Sequence, residues 1–105
     1  MKYAVVNVNA SGDNTIISAV AGKRIKVLHY AVGCDQNIDI YWKSNSTRIT
    51  GPIFLAASTS ISAGYGASSP AGLVGMFETN TGEALVLNLN GAKTVGGHIT
   101  YLVID

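Results

Sequence analysis

The sequence predicts an all-β fold, a jelly-roll-like antiparallel β-sandwich of about eight strands that spans residues 1–105 as a single domain. Turn-forming residues recur at short intervals along the chain, at 12–14, 21–23, 35–37, 44–46, 51–52, 64–72, 80–82 and 90–91. The stretches between these turns are rich in β-branched and aromatic residues, which favour strands. No window keeps a helical period over three turns, and the best helical candidate, 52–60, is short.

Three of the predicted strands alternate cleanly between apolar and polar residues, as half-buried strands do. Their expected inward residues are Ala4, Val6 and Val8, then Ile38, Ile40 and Trp42, and then Leu85, Leu87 and Leu89. We expect Trp42 to be a core anchor, because it is the largest side chain in these sets.

Two further strands do not follow a simple alternation. Between Lys23 and Gly33 the apolar residues change parity, so either a β-bulge shifts the register there or both faces are covered. Residues Ile99 to Ile104 are apolar on both faces. That pattern suits a central strand or a strand at a subunit contact.

Composition excludes several classes of protein. Charged residues make up 12% of the chain, about half the usual share, and the net charge is +1. No basic stripe marks a nucleic-acid binder, and no apolar run is long enough to span a membrane. A strand-like run follows Met1, so we expect no secretory signal.

The low charge also predicts contacts with other molecules. The chain is 48% hydrophobic, and its polar residues are mostly Ser, Thr and Asn. Monomers usually carry Lys and Glu on their surface, which keep the protein soluble and prevent sheet edges from pairing with other chains. We therefore expect part of the surface to be covered by copies of the chain or by a partner.

No group of residues in the sequence matches a catalytic, cofactor or metal site, and we assign no residue to any of these roles. His29 and His98 are far apart in sequence, and Cys34 is expected to be a small apolar residue near a strand end. Glu78 and Glu83 flank a turn and could approach each other, but the favoured interpretation is two solvated carboxylates.

Other polar residues are expected to serve in turns or at contacts. Asp13 and Asp35 are predicted to cap backbone amides in turns. The candidate contact residues are Met1, Lys2 and Tyr3 at the start of the chain, Tyr65 in the glycine-rich segment 64–72, and Tyr41, Lys43 and Arg48, which could form an exposed face beside the turn at 44–47.

Four segments resemble a family of small virion proteins encoded by tailed bacteriophages and prophages. They are NTIISAVAGKRIKVL from Asn14, GMFET from Gly75, GEALVLNL from Gly82 and GGHITY from Gly96, within a resemblance that runs from about Asn14 to Val103. The resemblance implies a capsid decoration (cement) protein, a trimer of jelly-roll subunits bound to the major capsid protein. It also implies synthesis in the bacterial cytoplasm and a place on the capsid surface.

Two alternatives remain open at this point. Some members of the family are domains of tail or fibre proteins, which implies a receptor- or glycan-binding tip as the second hypothesis. A small metal-dependent barrel enzyme of the cupin type is the third, and it would need a histidine-rich cluster inside the barrel. No catalytic motif of the family is available to transfer to this chain.

Overall fold

The chain folds into two antiparallel sheets packed face to face, in a computed structural model that describes residues 2–64 and 77–105. These residues contain ten strands and no helix. In chain order the strands are β1 (Lys2–Val8), β2 (Gly12–Ile17), β3 (Arg24–Cys34), β4 (Ile38–Ser44), β5 (Thr47–Arg48), β6 (Ile53–Leu55), β7 (Ser60–Gly64), β8 (Phe77–Glu78), β9 (Leu85–Leu89) and β10 (Val95–Ile104). The predicted all-β sandwich is confirmed.

Each sheet has five strands. Sheet A has the order β1-β10-β3-β7, and β8 also pairs with β3. Sheet B has the order β2-β9-β4-β5, and β6 also pairs with β4. Since β7 and β8 share one neighbour, as do β5 and β6, the ten strands occupy eight positions, in line with the number expected from the sequence.

Strand pairing is nested from the ends of the chain towards its middle. The first strand pairs with the last, β2 pairs with β9, β3 pairs with β7 and β8, and β4 pairs with β5 and β6. Successive pairs alternate between the two sheets. The chain therefore runs out and back as one long hairpin that is wound into the sandwich.

Alternating side chains from both sheets fill the space between them. Val6, Ile40, Leu87 and Ile99 are among the residues with no more than 1% of their surface exposed. Tyr30 and Phe77 of sheet A surround the Trp42 indole of sheet B, with ring centroids 5.2 and 6.0 Å from it. Aromatic contacts thus join the two sheets at the centre of the core.

The change of parity in β3 is a β-bulge. Thr100 of β10 pairs with His29, whereas Tyr101 pairs with Val27, so Leu28 is the extra residue on β3. The bulge keeps Val27 and Tyr30 both buried in the core. Its partner β10 lies between β1 and β3, so the expectation of a central strand is confirmed.

One local detail of the sequence interpretation differs in the structure. The alternation of Leu85, Leu87 and Leu89 leaves Val86 on the outer side of its strand, yet Val86 is buried, because Thr15 and Lys43 lie opposite it on the two neighbouring strands. The segment 52–60, which was too short to predict a helix, contains β6 and a turn, in agreement with the all-β prediction.

Candidate interaction surfaces

The outer side of sheet A carries a surface without charged side chains, which we name the neutral face. It consists of three rows of residues that cross β1, β10, β3 and β7. The rows are Tyr3, Thr100, His29 and Gly64, then Val5, His98, Ala31 and Ser62, and then Asn7, Gly96, Gly33 and Ser60. No Asp, Glu, Lys or Arg is among these twelve residues.

Two apolar side chains dominate the neutral face. Tyr3 is 82% exposed and Val5 is 77% exposed. Lys2, at the start of β1, is also exposed. Of the sequence-predicted contact residues, Lys2 and Tyr3 therefore lie where a partner could reach them.

The two histidines, distant in sequence, meet on this face. Their rings stack with centroids 5.8 Å apart and planes inclined by 23°. His29 Nε2 lies 3.1 Å from the Ser62 hydroxyl oxygen. The bulge at Leu28 makes this possible, because it turns His29 outwards while Val27 and Tyr30 stay buried.

A metal site would need further ligands beside this pair. Across 2–64 and 77–105, no three His, Cys, Asp or Glu side chains lie close enough to hold a metal ion. Structural zinc sites use four protein ligands and catalytic ones use three. The histidine pair by itself does not meet that requirement.

The outer side of sheet B is polar and its charges are paired. Lys43 Nζ donates to both carboxylate oxygens of Asp13, at 3.0 and 2.8 Å, and Asn88 Nδ2 donates to Asp13 Oδ1 at 2.7 Å. These bonds, from Lys43 and then Asn88, hold the pKa of Asp13 below its ordinary value. We name the cluster of Asp13, Tyr41, Lys43, Arg48 and Asn88 the polar cluster.

The structure brings the three predicted residues of this cluster together. The Arg48 guanidinium carbon lies 3.9 Å from the centre of the Tyr41 ring, a cation–π contact, and Arg48 pairs with Lys43 across β4 and β5. The Lys43 side chain is only 11% exposed. Lys43 therefore serves a contact within the sheet more than a contact with a partner.

The acidic residues singled out in the sequence accept hydrogen bonds from side chains and from a backbone amide. Asp13 was expected to cap a turn, but it lies in β2 and its carboxylate accepts from side chains instead. Asp35 does accept a bond from a backbone amide, that of Thr94. Glu78 accepts from Arg24 at 2.8 Å, and Glu83 accepts from the buried Ser44 hydroxyl at 2.6 Å.

Each of the two glutamates thus has its own structural partners, and neither is simply solvated as the sequence interpretation favoured. Cys34 is the last residue of β3 and is buried, as expected from the sequence.

Two of the predicted contact residues, Met1 and Tyr65, lie outside the described residues, as does most of the segment 64–72. Among the described residues, three exposed large apolar side chains were missed by the sequence interpretation. Val5 and Phe54 are 77% and 73% exposed, and Val20 is 39% exposed. The exposure of Val5 could have been predicted from the sequence, because Val5 is a large apolar residue on the side of an amphipathic strand that faces away from the core.

No described helix could cross a membrane. Comparison with known proteins found no matching family model, no matching curated protein and no matching solved structure.

Proposed function

We propose that this chain is a non-enzymatic structural protein of a tailed-phage virion, a head decoration protein that binds the major capsid protein as a homotrimer. The observation that carries the proposal is the neutral face, with Tyr3 and Val5 exposed on a strand that has no acidic residue. The nested strand pairing supports the jelly-roll form of the sandwich that the proposal includes.

A neutral surface suits a protein that clamps neighbouring subunits. Burying a charge between proteins carries a large desolvation cost unless the charge is paired, whereas apolar and neutral polar groups are buried more cheaply. Each copy would add buried area at a junction between capsid subunits. The added area would raise the resistance of the capsid to pressure from the packaged DNA.

Copy number in purified virions tests this proposal. Quantitative mass spectrometry would compare the chain with the major capsid protein in particles of the phage that encodes it. A number close to that of the capsid subunits is expected for a decoration protein. A few copies per particle would move the protein to the tail, and complete absence would remove it from the virion.

A receptor- or glycan-binding tip is the second candidate, and the polar cluster favours it. Tyr41, Asp13 and Asn88 place an aromatic ring beside amide and carboxylate groups on one side of sheet B, a combination that can bind sugars. Arg48 already covers one side of the Tyr41 ring. A glycan array distinguishes the candidates, because selective binding that Tyr41→Ala abolishes would favour the tip.

The proposal includes no enzymatic activity and no cofactor. Metal analysis of the purified chain tests that part directly. Stoichiometric iron, zinc or manganese would contradict it and would revive the cupin-like alternative.

A further inference from the structure

We propose that Asn90 is a site of spontaneous deamidation, a modification that converts its side-chain amide into a carboxylate. Three features meet at this position: a glycine follows Asn90 in the sequence, Asn90 is exposed between two strands, and the Asp39 carboxylate lies against the Asn90 amide. The product is a chain with one more negative charge beside Asp39. This chemistry is independent of the proposed function.

Asn90 is the only asparagine of the chain that is followed by glycine. In such a pair the backbone nitrogen of the glycine can attack the Cγ atom of the asparagine, because glycine has no Cβ atom to hinder the approach. A bond forms between the Gly91 nitrogen, which loses its proton to solvent, and Asn90 Cγ. The bond from Cγ to the side-chain nitrogen breaks, and that nitrogen takes up a proton and leaves as ammonia.

The product of this step is a cyclic succinimide, which water opens at either of its two carbonyl carbons. One opening gives aspartate. The other gives isoaspartate, in which the main chain continues through the former side chain. Water is the only co-reactant, and each route leaves one new carboxylate at position 90.

The fold leaves both residues of the pair accessible. β9 ends at Leu89, so Asn90 and Gly91 belong to the connection between β9 and β10, and Asn90 is exposed. The backbone of Gly91 does not lie in the left-handed region. A Cβ atom at Gly91 would come no closer than 3.6 Å to an atom beyond its chain neighbours, the Lys93 Cε. Alanine therefore fits at position 91, and a substitution there can test the chemistry without disturbing the fold.

Hydrogen bonds to Asp39 place the Asn90 amide in a setting that favours the attack. The backbone N–H of Asp39 donates to Asn90 Oδ1 at 3.1 Å. Negative charge develops on this oxygen as the Gly91 nitrogen adds to Cγ, and a donor at that atom stabilises the charge. The second contact, from Asn90 Nδ2 to Asp39 Oδ2, is 3.3 Å long and therefore restrains the amide only weakly.

The Asp39 carboxylate also makes the modification destabilising. In the native chain Asn90 Nδ2 donates to Asp39 Oδ2, whereas a carboxylate at position 90 brings two negative charges together. Lys93 lines the same groove, but its ammonium is bonded to the Asn37 carbonyl oxygen at 2.6 Å. The groove changes from one negative and one positive charge to two negative charges and one positive charge. The deamidated chain should therefore be less stable than the native chain.

A time course of the purified full chain at neutral pH and physiological temperature tests the proposal, with Gly91→Ala as the variant. Trypsin cleaves after Arg48 and Lys93 and releases 49–93 as one peptide. Fragmentation of this peptide in a mass spectrometer locates each conversion of an amide into an acid. Conversion is expected at Asn90, and Gly91→Ala should slow it several-fold, because the added methyl group hinders the attacking nitrogen.

Asn80 provides an internal control on the same peptide. It is exposed at the start of a turn, as Asn90 is exposed between two strands, but it is followed by Thr81. Asn80 should convert much more slowly than Asn90. Equal rates at Asn90 in the native chain and in Gly91→Ala would overturn the proposal. So would an Asn90 that converts in denaturant but stays intact in the folded chain.

A double-mutant cycle tests the effect on stability. Asn90→Asp supplies the new charge and should lower the midpoint of denaturant unfolding. The shift should be smaller when Asn90→Asp is made in an Asp39→Asn background, since that background removes the opposing carboxylate. Equal shifts in the two backgrounds would overturn the predicted repulsion between positions 39 and 90.

The outcomes are separate from those of the proposed function. Conversion at Asn90 in a chain that is absent from virions would support the modification and remove the decoration role. A chain that coats capsids while its Asn90 stays intact would do the reverse.

Discussion

Trp42 is the residue on which the two sheets converge. Its side chain is fully buried between Tyr30 and Phe77. Burial raises the pKa of the Tyr30 hydroxyl, and the neighbouring Trp42 indole lowers this pKa by a smaller amount. The indole nitrogen of Trp42 has no hydrogen bond of normal geometry. Packing, rather than a polar bond, therefore accounts for the contribution of Trp42 to stability.

Replacing Trp42 by Ala should lower the free energy of unfolding by about 3–5 kcal/mol, because it leaves a large cavity between the sheets. Denaturant unfolding followed by circular dichroism measures the change. Phe54→Ala is the control, since Phe54 is 73% exposed and its loss should change stability by less than about 0.5 kcal/mol. An unchanged midpoint for Trp42→Ala would show that Trp42 is not a core anchor.

Gly97 allows β10 to approach β3 closely. Its φ is +151°, and a Cβ atom at this position would lie 1.8 Å from the Ala31 carbonyl oxygen. Both the backbone conformation and the contact therefore require glycine.

Gly97→Ala should destabilise the fold by about 1–3 kcal/mol or more, since backbone must move to admit the methyl group. Gly51→Ala is the matched control, because no atom lies within 4 Å of the Cβ position there. Thermal unfolding of the two variants gives the comparison. Equal melting temperatures would contradict the close approach of the two strands.

At the scale of single elements, a charged contact joins β2 and β4 of sheet B, which are separated by β9. The Lys43 ammonium of β4 bonds to Asp13 of β2 across the strand between them, and its side chain is 89% covered. The Asp13 side chain is 46% exposed, so solvent screens the pair. The contribution of the pair to stability should therefore stay below about 1 kcal/mol.

Asp13→Asn should remove part of the acid sensitivity of the fold. The pKa of Asp13 is lowered in the folded chain, so its stabilising effect is present above the ordinary value of 3.8 and is lost as pH falls through the lowered pKa. Wild type and variant should therefore differ at pH 7 and converge at strongly acid pH. Denaturant unfolding at a series of pH values measures this.

Lys43→Met provides the control, since it removes the first of the two donors to Asp13 and should reduce the pH dependence less than Asp13→Asn does, because Asn88 still donates to Asp13. Asp105, whose pKa is lowered by its bond to Lys23, keeps a similar pH dependence in both variants. A difference between wild type and Asp13→Asn that persists unchanged into strong acid would contradict the assignment.

The strands also show how far local pattern predicts structure. The alternation in 38–42 predicted the buried residues of β4 correctly, because a strand places successive side chains on opposite sides. The pattern in β3 allowed either a bulge or two covered faces. The choice depended on its pairing with β10, which is distant in sequence.

At the scale of the whole molecule, charged side chains are distributed differently over the two outer sides of the sandwich, because on sheet A the charged residues Arg24, Lys26 and Glu78 lie beyond the neutral face. The outer side of sheet B carries the polar cluster, in which Asp13 and Lys43 are bonded to each other. The neutral face of sheet A has no charged side chain among its twelve residues. A partner that binds at the neutral face would therefore bury no charged side chain of these twelve residues.

The structure shows where on the surface charge is scarce, whereas the composition gives only the average charged fraction of the chain. A charged fraction of 12% predicted that some surface is covered by copies or by a partner. It gave no indication of which side, and of the predicted contact residues that the structure describes, Tyr3 lies in the neutral face. Val5, the other large exposed apolar residue of that face, was not among the predicted contact residues.

The sequence by itself determined the fold class, the strand positions and the inward residues such as Trp42, because alternation and turn chemistry act between residues that are close along the chain. Only the tertiary structure decided that His29 meets His98, that Asp13 meets Lys43 and that β1 forms an open edge. Those features depend on which strands become neighbours. Strand neighbours are chosen by the burial of two whole sheets against each other, and no local pattern records that choice.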